Sequence, residues 1–175
     1  MEATGNIMGK YGSEPYAQER VTLTGIVASA RSANPPNLVH GQVSSDSGNF
    51  GAAIVRIPNV TRQLIASSYV WAKPAGWTPQ KPDVYDSYRI VRNTEKHRFP
   101  SLKVGDHLRN VDSEAKILNF IAAQLKYESN PAGTIILYTE IPPCTSCNGV
   151  ISAFKRAFPN IELIVLNNEG NRPNS

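Results

Sequence analysis

The spacing of apolar and polar positions changes along the chain, and the change divides it in two. In the earlier part the signals are short. Residues 21–28 (VTLTGIVA) alternate with the two-residue period of a strand, and 38–43 offer a second short strand beyond the Pro-rich turn at 34–37. Residues 50–57 (FGAAIVRI) predict another strand. The segment 61–71 suits a helix through Leu64, Ile65, Tyr69 and Val70, but its second half also suits a strand. Three prolines and a glycine make 73–84 a loop, and 88–92 is a further short strand. Residues 1–17 show no periodicity and are expected to form a loose leader.

The last third is far more regular. Residues 112–127 (DSEAKILNFIAAQLKY) put Glu114, Leu118, Ile121 and Leu125 on one stripe of a helix, which the turn at 130–133 ends. The continuous apolar run 134–138 (TIILY) predicts a strand buried on both faces. After Pro142 and Pro143 a second helix runs from about Cys144 to Phe158, with Cys147, Ile151, Phe154 and Phe158 on one side. A second buried strand, 161–166 (IELIVL), follows. Helix, strand, helix, strand with short turns predicts two parallel strands joined by a right-handed crossover. The expected class is α/β, a mixed sheet of about four or five strands with helices on its faces. One domain over 18–166 accounts for it, with its chemical core at 105–166 and a tail at 167–175. Little chain follows the last strand, so one sheet edge is expected to stand open or to be covered by the N-terminal region or a partner.

Composition narrows the class without naming a function. At 175 residues, 41% apolar and 18% charged, the chain can bury a core unaided. No window approaches 18 apolar residues, which argues against a membrane span, and residues 1–5 lack the pattern of a signal peptide. Cytoplasmic chemistry and a monomer are the expectation. A formal charge of +4 permits an anionic partner without requiring one. The basic residues crowd one stretch: Arg89, Arg92, Lys96, Arg98, Lys103, Arg109 and Lys116, with His97 and His107 among them. Such a run is either a solvated face or a track for a phosphate backbone.

Only two cysteines are present, spaced Cys144-Thr-Ser-Cys147, too few and too close for a disulfide scaffold. Three apart at a helix start, their sulfurs share one face near the positive end of the helix dipole, where thiolates are favoured. A lone CxxC fits redox chemistry, structural zinc or nothing. Glu114, in the first turn of the other helix on the inward stripe, reads alone as a cap, although burying an unpaired carboxylate is costly. Adjacent parallel strands would bring the two helix starts together. Asp112, Cys144 and Cys147 could then converge on one ion, with Glu114 beside it. Catalytic zinc needs that arrangement, three protein ligands and an open position.

The segments DSEAKILNFIA and GTIILYTEIPPCTSCNGVISAFKRAFPNIELIVL resemble the deaminase domains of bacterial polymorphic toxins, a branch of the cytidine deaminase superfamily. The superfamily signature is H-x-E followed by P-C-x-x-C. The resemblance covers about residues 105–166 and is loose before them. It implies a cytidine-deaminase-like fold, Cys144 and Cys147 as Zn²⁺ ligands, and Glu114 as proton shuttle. Asp112 stands where most of the superfamily has histidine. That departure leaves the zinc site near −1 rather than neutral, which weakens the metal's acidifying effect unless His107, Arg109 or Lys116 offsets it. His107 or His97 could instead be the third ligand, with Asp112 supporting it. The resemblance further implies cytosine in DNA or RNA as substrate, a dedicated immunity protein as partner, and export as a C-terminal toxin domain that acts in the target-cell cytoplasm.

On this reading the Ser113 backbone meets the base carbonyl, Tyr138 and Trp71 stack on the base, and Pro143 lines the same pocket. Arg98, Lys103, His107 and Arg109 hold the nucleic acid, with single-stranded DNA favoured over double-stranded DNA or RNA. Two rivals stand beside it. A glutaredoxin-like thiol oxidoreductase would share the strand, CxxC, helix and strand, but the chain after Cys147 is too short for its remaining elements, and Asp112 and Glu114 would have no task. A binding module with structural zinc would want four ligands.

Overall fold

The computed structural model describes residues 15–33, 49–67, 89–91, 97–100, 103–104, 107–108 and 112–168. The expected strand at 38–43, the loop at 73–84, residues 1–14 of the leader and 169–175 of the tail lie outside them. Among the described residues three helices are present: α1 (Ala17–Ala33), α2 (Ser113–Gln124) and α3 (Thr145–Ala157). The strands are β1 (Phe50–Arg56), β2 (Gln63–Ser67), β3 (Arg89–Ile90), β4 (Lys103–Val104), β5 (His107–Leu108), β6 (Gly133–Thr139) and β7 (Ile161–Asn167).

Five strands form one mixed sheet in the order β3-β2-β1-β6-β7, and β4 and β5 pair separately. β1 is antiparallel to both β2 and β6. β6 and β7 run parallel, joined through α3 as the helix–strand pattern predicts. Alternation along the strands serves two faces. Ala53, Val55, Ile135 and Leu137 meet α2 and α3 through Ile117, Leu118, Ile121, Val150 and Phe154. Ala52, Ile136 and Tyr138 meet α1 through Leu23, Ile26, Val27 and Ala30. The result is a three-layer α/β fold of the cytidine-deaminase-like kind. The two stripes read from the sequence are buried: Glu114, Leu118, Ile121 and Leu125 on α2, and Cys147, Ile151, Phe154 and Phe158 along α3.

One element differs from its sequence pattern. Residues 21–28, which alternate like a strand, lie within α1. Their buried members, Leu23, Ile26 and Val27, continue to Ala30 with helical spacing, while Val21 is exposed. The Thr22 and Thr24 hydroxyls bond back to main-chain carbonyls one turn earlier, so these β-favouring residues are accommodated in a helix. The ambiguous segment 61–71 resolves as strand over Gln63–Ser67.

Candidate active site

β6 ends in Thr139, and the N-termini of α2 and α3 open beside it. Asp112 is the N-cap residue of α2 and Cys144 that of α3, and neither side chain caps its own helix. Asp is among the best capping residues, so a carboxylate turned away from its own helix calls for another partner. The Asp112 carboxylate faces the sulfurs. Its Oδ2 lies 3.3 Å from Cys147 Sγ and 3.9 Å from Cys144 Sγ, and the two sulfurs are 3.5 Å apart. Both cysteines are free thiols.

These distances fit one ion. Tetrahedral zinc with Zn–S near 2.3 Å and Zn–O near 2.0 Å sets sulfurs about 3.8 Å apart and sulfur and oxygen about 3.5 Å apart. The electrostatics agree. Burial pushes the Cys147 thiol well above the ordinary range, and the charges of Glu114, Asp112 and Cys144 push it further. A divalent cation would offset the negative charge gathered here. Asp112, Cys144 and Cys147 are the grouping of potential metal ligands among the described residues, and His97 is not part of it. Lys116 supplies positive charge one helical turn beyond Asp112. It is almost wholly buried, and desolvation lowers its pKa to about 8 while Asp112 acts to raise it.

Glu114 is 2% exposed and held on both oxygens. Oε2 accepts from Ser113 Oγ at 2.9 Å. Oε1 accepts from Thr139 Oγ1 at 2.9 Å and from Asn49 Nδ2 at 3.3 Å. A backbone feature makes room for this. A Cβ on Gly51 would stand 3.0 Å from Ser113 Oγ, so the bare glycine lets the start of α2 settle on β1. Next to Thr139, the fully buried Glu140 accepts the Phe50 N–H at 3.0 Å and locks β1 to the end of β6.

The structure gathers Asp112, Ser113, Glu114, Cys144 and Cys147, with half-buried Pro143 adjoining Cys144. Tyr138 is elsewhere. It is fully buried against α1, on the opposite side of the sheet from Thr139 and Glu114, and is therefore a core residue and not a base-stacking one. Arg98 packs over the Phe158 ring at 4.8 Å, at the far end of α3 and roughly 20 Å along the helix from Cys144. Lys103 and His107 belong to the paired strands β4 and β5, and Trp71 and Arg109 lie outside the described residues. Asn49 and Thr139 escaped the sequence reading. A polar residue ending the apolar run of β6, at the carboxyl end of a strand where α/β sheets place their sites, is the signal that marks Thr139.

Fold and site together define a deaminase domain of the cytidine-deaminase-like class. The chain belongs to the toxin-deaminase family, described as the BURPS668_1122 family of deaminases, whose model matches residues 36–169. No curated protein and no solved structure matches it. As a deaminase it is an enzyme acting on C–N bonds, and no described helix is long and apolar enough to cross a membrane.

Proposed function

We propose that the domain is a zinc-dependent deaminase that converts cytosine to uracil in single-stranded DNA and serves as the toxic part of an exported bacterial protein. The observation that carries this reading is the spacing of the Asp112, Cys144 and Cys147 ligand atoms, matched to one tetrahedral ion beside the buried Glu114. Bound there, Zn²⁺ supplies the Lewis acidity that readies water for attack. Glu114 would take a proton from water as the water oxygen bonds to C4 and deliver it to N3 of the base, then move the remaining hydroxyl proton to the amine as the C4–N bond breaks, so that ammonia leaves and a C4 carbonyl forms. The Ser113 backbone and Pro143 shape the floor on which the base sits. The net positive charge suits a polyanionic substrate, and family membership supports both a nucleic acid substrate and an immunity protein as partner.

The deciding experiment incubates the zinc-loaded protein with cytosine- and adenine-containing DNA and RNA, single- and double-stranded, and sequences for converted bases. Conversion of cytosine in single-stranded DNA, absent in Glu114→Ala that still binds zinc, is the expected result. Conversion confined to RNA, duplex DNA or adenine would replace the substrate. Thiol–disulfide exchange without zinc or ammonia release would replace the enzyme.

A further inference from the structure

The Glu114 carboxylate is gripped unevenly, and the asymmetry assigns different work to its two oxygens. A carboxylate offers about four acceptor positions, two on each oxygen. Oε1 has two donors in reach, Thr139 Oγ1 at 2.9 Å and Asn49 Nδ2 at 3.3 Å. Oε2 receives one donor among the described residues, Ser113 Oγ at 2.9 Å, and keeps one position open. Resting on the deaminase reading above, we infer that Asn49 and Thr139 are positioning residues that clamp Oε1 of Glu114 and leave Oε2 as the oxygen that carries the proton.

The clamp draws on three elements. Asn49 stands at the mouth of β1, Thr139 at the end of β6 and Glu114 in the first turn of α2. The Asn49 amide also reaches Thr139 Oγ1 at 2.8 Å and Ser113 Oγ at 3.2 Å. Its Oδ1 accepts the Ile141 N–H at 3.3 Å. Those contacts fix the amide orientation, because a flipped amide would set its carbonyl oxygen against the Glu114 carboxylate. Thr139 is fully buried, and its single proton has two acceptors in reach, Glu114 Oε1 and the Ile141 carbonyl at 2.9 Å. The one proton serves one of these acceptors at a time, and the Glu114 carboxylate, being charged, is the stronger of the two. Donors from β1 and β6 on the Oε1 side oppose rotation of the carboxylate and favour one placement of Oε2.

The test compares Thr139→Val, which keeps shape and loses the hydroxyl, with Thr139→Ser, which keeps the hydroxyl. Thr139→Val should lower kcat roughly 10–100-fold with KM within about twofold and zinc content unchanged, while Thr139→Ser recovers most of kcat. Asn49→Ala, at a half-buried position, should lower kcat in the same manner, and the double variant should lose less than the product of the single losses. Wild-type kcat in Thr139→Val and Asn49→Ala, or a Thr139→Ser as impaired as Thr139→Val, overturns the inference while wild-type turnover leaves the deaminase reading standing. A wild-type chain that releases no ammonia from any cytosine substrate overturns both.

Discussion

Cys147 Sγ lies 3.3 Å from Asp112 Oδ2, although the two residues sit in the opening turns of different helices. The contact exists because β6 and its neighbours bring both helix starts to one end of the sheet. It also makes Asp112 the best placed third ligand. Removing that carboxylate by Asp112→Ala should cut zinc affinity by more than the ~10–100-fold that loss of a supporting residue costs, whereas His107→Ala should keep full zinc. Metal analysis of the two purified variants decides it. Full zinc in Asp112→Ala and none in His107→Ala would hand the ligand role to the histidine.

Zinc uptake should release protons. Burial and the surrounding acids keep the Cys147 thiol protonated at neutral pH, yet zinc takes up the thiolate. Lowering the pH favours the protonated site, so affinity should rise with pH across the neutral range. Titration calorimetry in buffers of different ionisation enthalpy should count about one to two protons released per ion. A count of zero, with affinity independent of pH, would show that the thiolates exist before the metal arrives.

Gly51 faces Ser113 so closely that an added Cβ would be in tighter than ordinary contact. The Gly51→Ala methyl would press on Ser113 Oγ at 3.0 Å and Ser113 Cβ at 3.1 Å, and Ser113 at the start of α2 must give by a few tenths of an ångström. Overpacking of this kind costs about 1–3 kcal/mol, and because Ser113 adjoins Glu114 the activity should fall further than the stability. Urea unfolding together with the deamination rate measures both. Unchanged values for each would mean that α2 docks with slack.

Legibility in the sequence followed the length of the pattern. α2, β6, α3 and β7 carry sustained periodicity or long apolar runs, so their order and the crossover could be read directly, while the grouping of Asp112, Glu114, Cys144 and Cys147 leaned on the resemblance to the deaminase signature. α1 was obscured because Val21 and Leu23 mimic alternation, while the helical spacing emerges only when Leu23, Ile26, Val27 and Ala30 are taken together. β4 and β5, two residues each, are too short for any period. Tyr138 faces α1 because one step along β6 exchanges the Glu114 side for the α1 side, a parity that a continuous apolar run does not reveal. Asn49 was out of reach because its contact with Thr139 spans 90 positions and depends on the pairing of β1 with β6.

Lys116 offers a test of charge placement that needs no substrate. Its ammonium is almost wholly buried, and desolvation brings its pKa from 10.5 to about 8. A lysine whose folded pKa lies below its unfolded value destabilises the fold wherever both states are protonated, that is, below about pH 8. As pH rises from about 8 to 10.5 the folded state sheds its proton first and the penalty fades, so this residue makes the zinc-free protein more stable in that window. Ionisation of the cysteines in the unfolded chain pulls the other way, so the informative quantity is the difference between wild type and Lys116→Met. That difference should move in favour of the wild type by on the order of 3 kcal/mol between pH 7.5 and 11. Urea unfolding of the zinc-free proteins across this range measures it. The same substitution removes a positive charge near Asp112 and should weaken zinc binding. A difference that stays flat with pH would mean that Lys116 keeps its solvent-like proton affinity inside the fold, and the charge balance assigned to it at the metal group would fail.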